Sequence, residues 1–222
     1  GYSINIMKEL TTIANKCRTD KGTIEGESHS FTEFYDDILK CNRNEKLNIL
    51  EIGVLNGSSI NMWAEYFPNA NIYGIDIDLY RSNGKIINNN SKVFLCDGTN
   101  EEQINDFLNK IGNPKFDIIV DDGSHYNEHQ MKSLLIFMNH LNDNGIYILE
   151  DLHCNILGTH GQPLDSPLYF LCFNNKPSYI TNEEYELLNN KISDIKMFIN
   201  FNKKSDFKNR SITSIITFNC CE

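Results

Sequence analysis

The stretch LNILEIGVLNGSSINMWAEYFPNANIYGIDID, residues 47–78, decides the fold. Its first apolar run, 47–53, is short and unbroken, as expected of a strand buried on both faces. Gly53 and Gly57 bracket a turn, residues 58–66 read as a helix, and residues 71–76 read as a second buried strand. Strand, helix, strand in quick succession predicts parallel strands joined by a helical crossover.

The same alternation continues downstream. Residues 92–96, 116–120 and 145–149 read as further strands, separated by helices at 101–110 and 127–141, the latter with Met131, Leu134, Leu135 and Met138 at helical spacing. Residues 182–193 are helix-prone. Two β-like runs, 195–201 and 211–218, flank the polar 202–210 and suggest a hairpin at the sheet edge. Upstream, 3–16 and 31–40 look helical around a Gly-containing turn at 21–30. The segment after Asp151 holds Gly158, Gly161, Pro163 and Pro167, and reads as a loop covering a site. The expected fold is therefore α/β and Rossmann-like, with a mostly parallel seven-stranded sheet, an antiparallel C-terminal hairpin and helices on both faces. We expect one domain over 1–222: a helical elaboration at 1–45, a ligand-binding core at 46–151, and an acceptor loop with the sheet edge at 152–222.

Composition narrows the function. A net charge of −10 over 222 residues argues against a surface for long nucleic acid, which needs many Lys and Arg to neutralise phosphates. No apolar run is long enough for a membrane span, and the start has no signal-peptide pattern. The expectation is a soluble cytoplasmic protein, in a host cytoplasm if the source is a virus. The seven cysteines include no CxxC pair, so reduced thiols are expected; the adjacent Cys220 and Cys221 read as terminal residues without a role. Gly1 in the first position suggests a segment of a longer polypeptide.

Ligands of open parallel sheets bind beyond the carboxyl ends of the strands. At those ends lie Glu51 and Gly53, then Asp76, then Asp97. The GxxxG spacing of Gly53 and Gly57 is not the GxGxxG of a dinucleotide fold, which disfavours a nicotinamide oxidoreductase. Asp76 is placed to accept from ribose hydroxyls and Asp97 from an adenine amino group; singly, each would also serve as a cap or turn former. Together with the glycine turn they favour an adenosyl ligand. The next two strands end in Asp121-Asp122-Gly123-Ser124-His125 and Glu150-Asp151-Leu152-His153. So many carboxylates in one place need a cation, and Mg²⁺ on Asp122, Glu150 and Asp151 is the natural choice. Exposed loop-end acids, one of them a helix cap, are the plainer alternative. His125, one turn from the carboxylates, is the candidate general base. Tyr126, His129, His153 and His160 are weaker candidates, more in keeping with packing, surface or substrate contacts.

Thr19-Asp20-Lys21-Gly22 with His29 and Tyr35, Leu50-Glu51-Ile52-Gly53, Met62-Trp63 leading through Tyr66-Phe67-Pro68-Asn69-Ala70 to Tyr73-Gly74-Ile75-Asp76, Asp121-Asp122-Gly123-Ser124-His125 and Glu150-Asp151 together resemble one family. It is the metal-dependent sugar O-methyltransferases of the mycinamicin type, within the class I S-adenosylmethionine (SAM) methyltransferases. The resemblance implies SAM and a divalent metal as cofactors. It implies Asp122, Glu150 and Asp151 as metal ligands, His125 as base with Asp122 beside it at the catalytic centre, and Glu51, Gly53, Asp76 and Asp97 as SAM contacts. Asp121 would touch SAM or orient the metal shell. The implied acceptor is a sugar or glycoside, such as a deoxyhexose. A catechol-like acceptor and a non-catalytic SAM-binding module of a glycan-assembly protein are the alternatives. Fusion to glycosyltransferase domains and assembly as a homodimer or larger oligomer would also suit such an enzyme.

Overall fold

The computed structural model describes residues 8–24, 28–201 and 210–219. The parallel strands β1 (Asn48–Ile52), β2 (Asn71–Asp76), β3 (Ser91–Leu95), β4 (Phe116–Asp121) and β5 (Leu141–Leu149) are joined at the edge by β6 (Ile192–Phe201) and β7 (Arg210–Phe218). Their order is β3-β2-β1-β4-β5-β7-β6, with β7 antiparallel to both β5 and β6. Strand order reverses between β1 and β4, so the crevice for a ligand opens above those two strands.

Strand residues alternate between two cores. Leu50, Ile52, Ile75, Ile119, Tyr147, Leu149 and Ile216 face one side, and Ile49, Ile72, Ile118, Val120, Ile148 and Ile215 face the other. The second core is covered by α1 (Glu9–Cys17), α2 (Phe31–Leu39) and α3 (Ser58–Tyr66). The first is covered by α4 (Glu101–Ile111), α5 (Asn127–Phe137), α6 (Pro167–Phe173) and α7 (Asn182–Lys191). The central strands β1 and β4 are thus buried on both faces, which explains their unbroken apolar runs in the sequence.

Several elements differ from the sequence reading. The segment expected to be a loop after Asp151 contains α6, because Pro167 sits at the first helical position, where its fixed φ is favourable, and the Ser166 side chain caps the Tyr169 amide. Helix α5 stops at Phe137, a 3-10 turn covers Met138–His140, and β5 begins at Leu141 rather than 145. Leu141 pairs with Phe116, and the register then skips to Ile118 opposite Ile146, leaving the polar Asn142–Asn144 stretch in a bulge. Strand β6 starts at Ile192 instead of 195, immediately after α7, whose start is fixed by a capping box between Thr181 and Glu184. Residues 3–7, 25–27 and 202–209, and with them parts of the expected N-terminal helix, turn and hairpin loop, lie outside the described residues, as do Cys220 and Cys221. Cys17, Cys41, Cys96, Cys154 and Cys172 are free. Among the described residues no helix is long and apolar enough to cross a membrane.

Trp63 on α3 is fully buried, with Tyr35 and Phe67 ring centroids at 6.2 and 6.3 Å. Trp63→Ala is expected to lower the unfolding free energy by about 3–5 kcal/mol in urea denaturation, and Trp63→Phe by clearly less. A loss below about 1 kcal/mol for the alanine variant would mean that this core is not packed as described.

Candidate functional site at the strand ends

Hydrogen bonds between successive strand ends bring the acidic residues together. The Gly53 amide donates to Ile75 O (2.9 Å), the Asp122 amide to Ile52 O (2.9 Å) and the Glu150 amide to Asp121 O (3.0 Å). Gly53 has φ +91°, and a Cβ there would lie 2.1 Å from Asp122 O. The close approach of the β1 and β4 ends therefore demands glycine before any ligand is considered. His125 and Asp151 both adopt the left-handed region, with φ of 60° and 56°. These turns direct their side chains toward each other, His125 Nε2 lying 3.3 Å from Asp151 Oδ2.

A lysine occupies the centre of the cluster. Lys21, from the turn between α1 and α2, is wholly buried, its Nζ lying 2.5 Å from Asp122 Oδ2, 2.6 Å from Glu150 Oε2 and 3.4 Å from Glu51 Oε1. Burial alone would depress the Lys21 pKa, but Asp122, Glu150 and Glu51 together hold the ammonium well above its ordinary value. Glu150 Oε1 accepts from Tyr35 Oη (2.7 Å), and that hydroxyl also meets Thr213 Oγ1 on β7 (2.7 Å). Burial pushes the Glu150 carboxyl well up, with Lys21 opposing. The same cause raises Asp122 and takes Glu51 to about 7, again against the pull of Lys21.

The other expected residues divide by environment. Asp121 is buried, accepts from Tyr147 Oη (2.9 Å) and is raised by burial to about 6, so it is an internal partner of the sheet. Glu51 accepts from Ser59 Oγ (2.7 Å), while its Oε1 has no hydrogen-bond partner. Asp76 Oδ2 accepts from the amides of Val54 (2.7 Å) and Leu55 (2.9 Å), fixing the loop after β1. Asp97 Oδ1 takes both the amide and the hydroxyl of Thr99, each at 2.8 Å. Leu55 and Ile77 stand exposed beside Asp76, an apolar surface next to a carboxylate. That pairing suits an adenosyl group, with a flat base and a ribose diol.

Among the described residues, two groups of side chains could hold a metal ion. Ligand atoms of Asp122, His125 and Asp151 lie within 4.8 Å of one another, as do those of His29, Asp151 and His153. Glu150 belongs to neither group, and its two oxygens are engaged by Lys21 and Tyr35. Asp151 Oδ1 and His125 Nδ1 are buried and unpartnered, and an unpartnered carboxylate oxygen in such a cluster fits a cation. Beyond His125, a cavity of ≈ 200 Å³ is lined by Tyr126, His129, His160, Gln162, Asp165 and Tyr179 among others. Thus Tyr126, His129 and His160 line one space, while His153 turns toward Asp151.

Lys21, Tyr35 and His29 stood in the motifs quoted above without an individual role, and Thr213 and Tyr147 were missed. The available signal was charge balance: three carboxylates destined for the interior require a buried cation, and the motif Thr19-Asp20-Lys21-Gly22 supplies one.

A family described as "Methyltransferase domain" matches residues 50–152. The chain is 30% identical over 164 residues to L-olivosyl-oleandolide 3-O-methyltransferase of Streptomyces antibioticus, covering 69% of this chain and 40% of that enzyme. It is 32% identical over 134 residues to mycinamicin VI 2''-O-methyltransferase of Micromonospora griseorubida, covering 57% of this chain and 32% of that enzyme. The chain thus spans well under half the length of these curated relatives. Among solved structures, MycE methyltransferase of the mycinamycin pathway, in complex with Mg and SAH, superposes with a TM-score of 0.67 at 23% identity, over 94% of this chain and 54% of that one. Residues 50–152 therefore match a methyltransferase-domain family, the chain has the Rossmann-like methyltransferase fold, and it resembles in sequence the O-methyltransferases that modify macrolide sugars.

Proposed function

We propose that this chain is the methyl-transferring part of a SAM-dependent O-methyltransferase whose acceptor is a sugar hydroxyl on a glycoside, with a divalent metal, Mg²⁺ by preference, beside the methyl donor. The observation that carries the reading is the row of acidic side chains at five neighbouring strand ends, Glu51, Asp76, Asp97, Asp121–Asp122 and Glu150–Asp151, in a chain similar to enzymes named for sugar O-methylation. The relatives' acceptors are sugars on macrolides and tetracenomycins, which favours a glycoside over a catechol. The assignment is made for this domain, over residues 1–222, in an enzyme whose relatives are longer.

SAM would lie along the β1–β2–β3 ends, its ribose toward Asp76, its adenine between Ile77 and Asp97, and its amino-acid end toward Glu51 and the Gly53 turn. Asp121 would support this wall from within. Asp122 and Asp151 would hold the metal; Glu150 joins them only by giving up Lys21 as a partner. When bound, the metal supplies a Lewis acid that makes a nearby hydroxyl more acidic. His125 would take the acceptor proton. Its Nδ1 is enclosed, so Nε2, which lies 3.3 Å from Asp151 Oδ2, is the nitrogen in position to do so. Lys21 keeps Asp122 and Glu51 in place throughout. The cavity, whose lining combines the rings of Tyr126, His129, His160 and Tyr179 with the polar Gln162 and Asp165, has the character expected of a sugar subsite.

The direct test is methyl transfer from SAM to a panel of deoxyhexose glycosides, free sugars and catechols, with EDTA and then added Mg²⁺. Transfer to a glycoside, lost with EDTA and restored by Mg²⁺, is expected; turnover confined to catechols would refute the acceptor. In the same assay His125→Ala is expected to lower kcat by roughly 10²- to 10⁴-fold while SAM affinity is kept.

The buried acids also set a pH dependence of stability. Glu51 is raised to about 7 and Asp121 to about 6, both above ordinary carboxylate values, so the folded state holds protons that the unfolded chain has released. Their contribution is complete below about pH 4 and is lost as pH rises through the folded values. In EDTA the melting temperature should therefore fall between about pH 5 and 7.5, and Glu51→Gln should flatten that fall. A wild-type melting temperature that rises across this range would contradict the burial assigned to these two carboxyls.

A further inference from the structure

We propose that His29, Asp151 and His153 form a second cation site, suited to a borderline divalent metal of the Zn²⁺ or Co²⁺ class. Asp151 Oδ1 lies 3.9 Å from His29 Nε2 and 3.8 Å from His153 Nδ1. All three ligand atoms fall within 4.8 Å of one another, a spread that a single ion can gather by small side-chain movements. Asp151 Oδ1 is buried and has no hydrogen-bond partner, which is a cost unless something completes it.

The surroundings resemble the support that metal-binding imidazoles receive. His29 Nδ1 meets Ser211 Oγ at 2.5 Å, which leaves Nε2 as the nitrogen facing Asp151. The His29 ring is stacked on Phe31 at 5.1 Å, and Asn200 Nδ2 donates to the His29 carbonyl at 3.2 Å. His153 Nδ1 accepts from the Ile212 amide at 3.4 Å, a long contact that a metal bond would outweigh. Two imidazole nitrogens with one carboxylate suit Zn²⁺, Co²⁺ or Fe²⁺, whereas Mg²⁺ favours oxygen donors throughout. The site adjoins the group proposed for Mg²⁺ and shares Asp151 with it, Oδ1 turning to His29 and His153 and Oδ2 to His125. A Zn²⁺-class ion bound here would hold Asp151 and so compete with the metal proposed for methyl transfer.

The test is a Co²⁺ titration of the full chain without Mg²⁺, followed by visible absorption. Wild type should develop d–d bands at one equivalent. His29→Gln and His153→Asn should each weaken binding about tenfold or more, while Asp122→Asn leaves it within about threefold. Absence of bands in wild type, or unchanged binding in both histidine variants, would overturn the inference. So would loss of binding in Asp122→Asn alone, which would place the ion among the carboxylates and leave the proposed function standing. A measurement that needs no variant gives the same decision: Zn²⁺ should protect His29 and His153 of wild type from diethylpyrocarbonate, read by peptide mass spectrometry. Equal modification with and without Zn²⁺ would refute the site.

Discussion

One ammonium group among three carboxylates is the interaction on which the site depends. Glu51, Asp122 and Glu150 end three adjacent strands, and the hydrogen bonds that keep those strands parallel also force the acids together. Lys21 makes that arrangement tolerable. Removing a single partner from such a buried set leaves charge uncompensated, a loss on the order of 3–5 kcal/mol. The lysine arrives on the turn between α1 and α2, so these helices do more than cover the apolar face of the sheet. They fasten a positive charge over the strand ends, and Tyr35 and Thr213 satisfy the far oxygen of Glu150.

This internal cation separates two sets of acids that look equivalent along the chain. Glu51 and Glu150 turn inward to Lys21, while Asp151 turns outward to His125, His29 and His153. Asp122 stands between them, bound to Lys21 through Oδ2 and close enough to His125 and Asp151 to share an ion. The chemistry proposed for the domain therefore belongs to the outward set. The inward set supplies rigidity, which a methyl transfer requires because donor, acceptor and base must be held in line.

The fold was legible because the central parallel strands β1 and β4 are buried on both faces and a helix follows each within a few residues. Residues 58–66 and 71–76 were read with the boundaries found in α3 and β2. Helix α6 is not legible because Pro167 reads as a breaker, although proline at the first helical position starts a helix when a residue such as Ser166 caps it. The identities of the strand-end acids were readable, but their partners were not. Lys21 is 101 residues from Asp122 and 129 from Glu150, and only the packing of α1 and α2 on the sheet brings them together. Gly53 shows the converse: its position was anticipated from a ligand, whereas the carbonyl of Asp122 already requires it.

The central claim is that these strand ends bind a methyl donor and a metal side by side. Diffraction from crystals soaked with S-adenosylhomocysteine and Mn²⁺ tests it most directly, because the anomalous signal locates the ion independently of the nucleoside. The account predicts the nucleoside against Asp76 and Ile77, and a Mn²⁺ peak in contact with Asp122 and Asp151. A nucleoside bound elsewhere, or a Mn²⁺ peak touching neither aspartate, would contradict it.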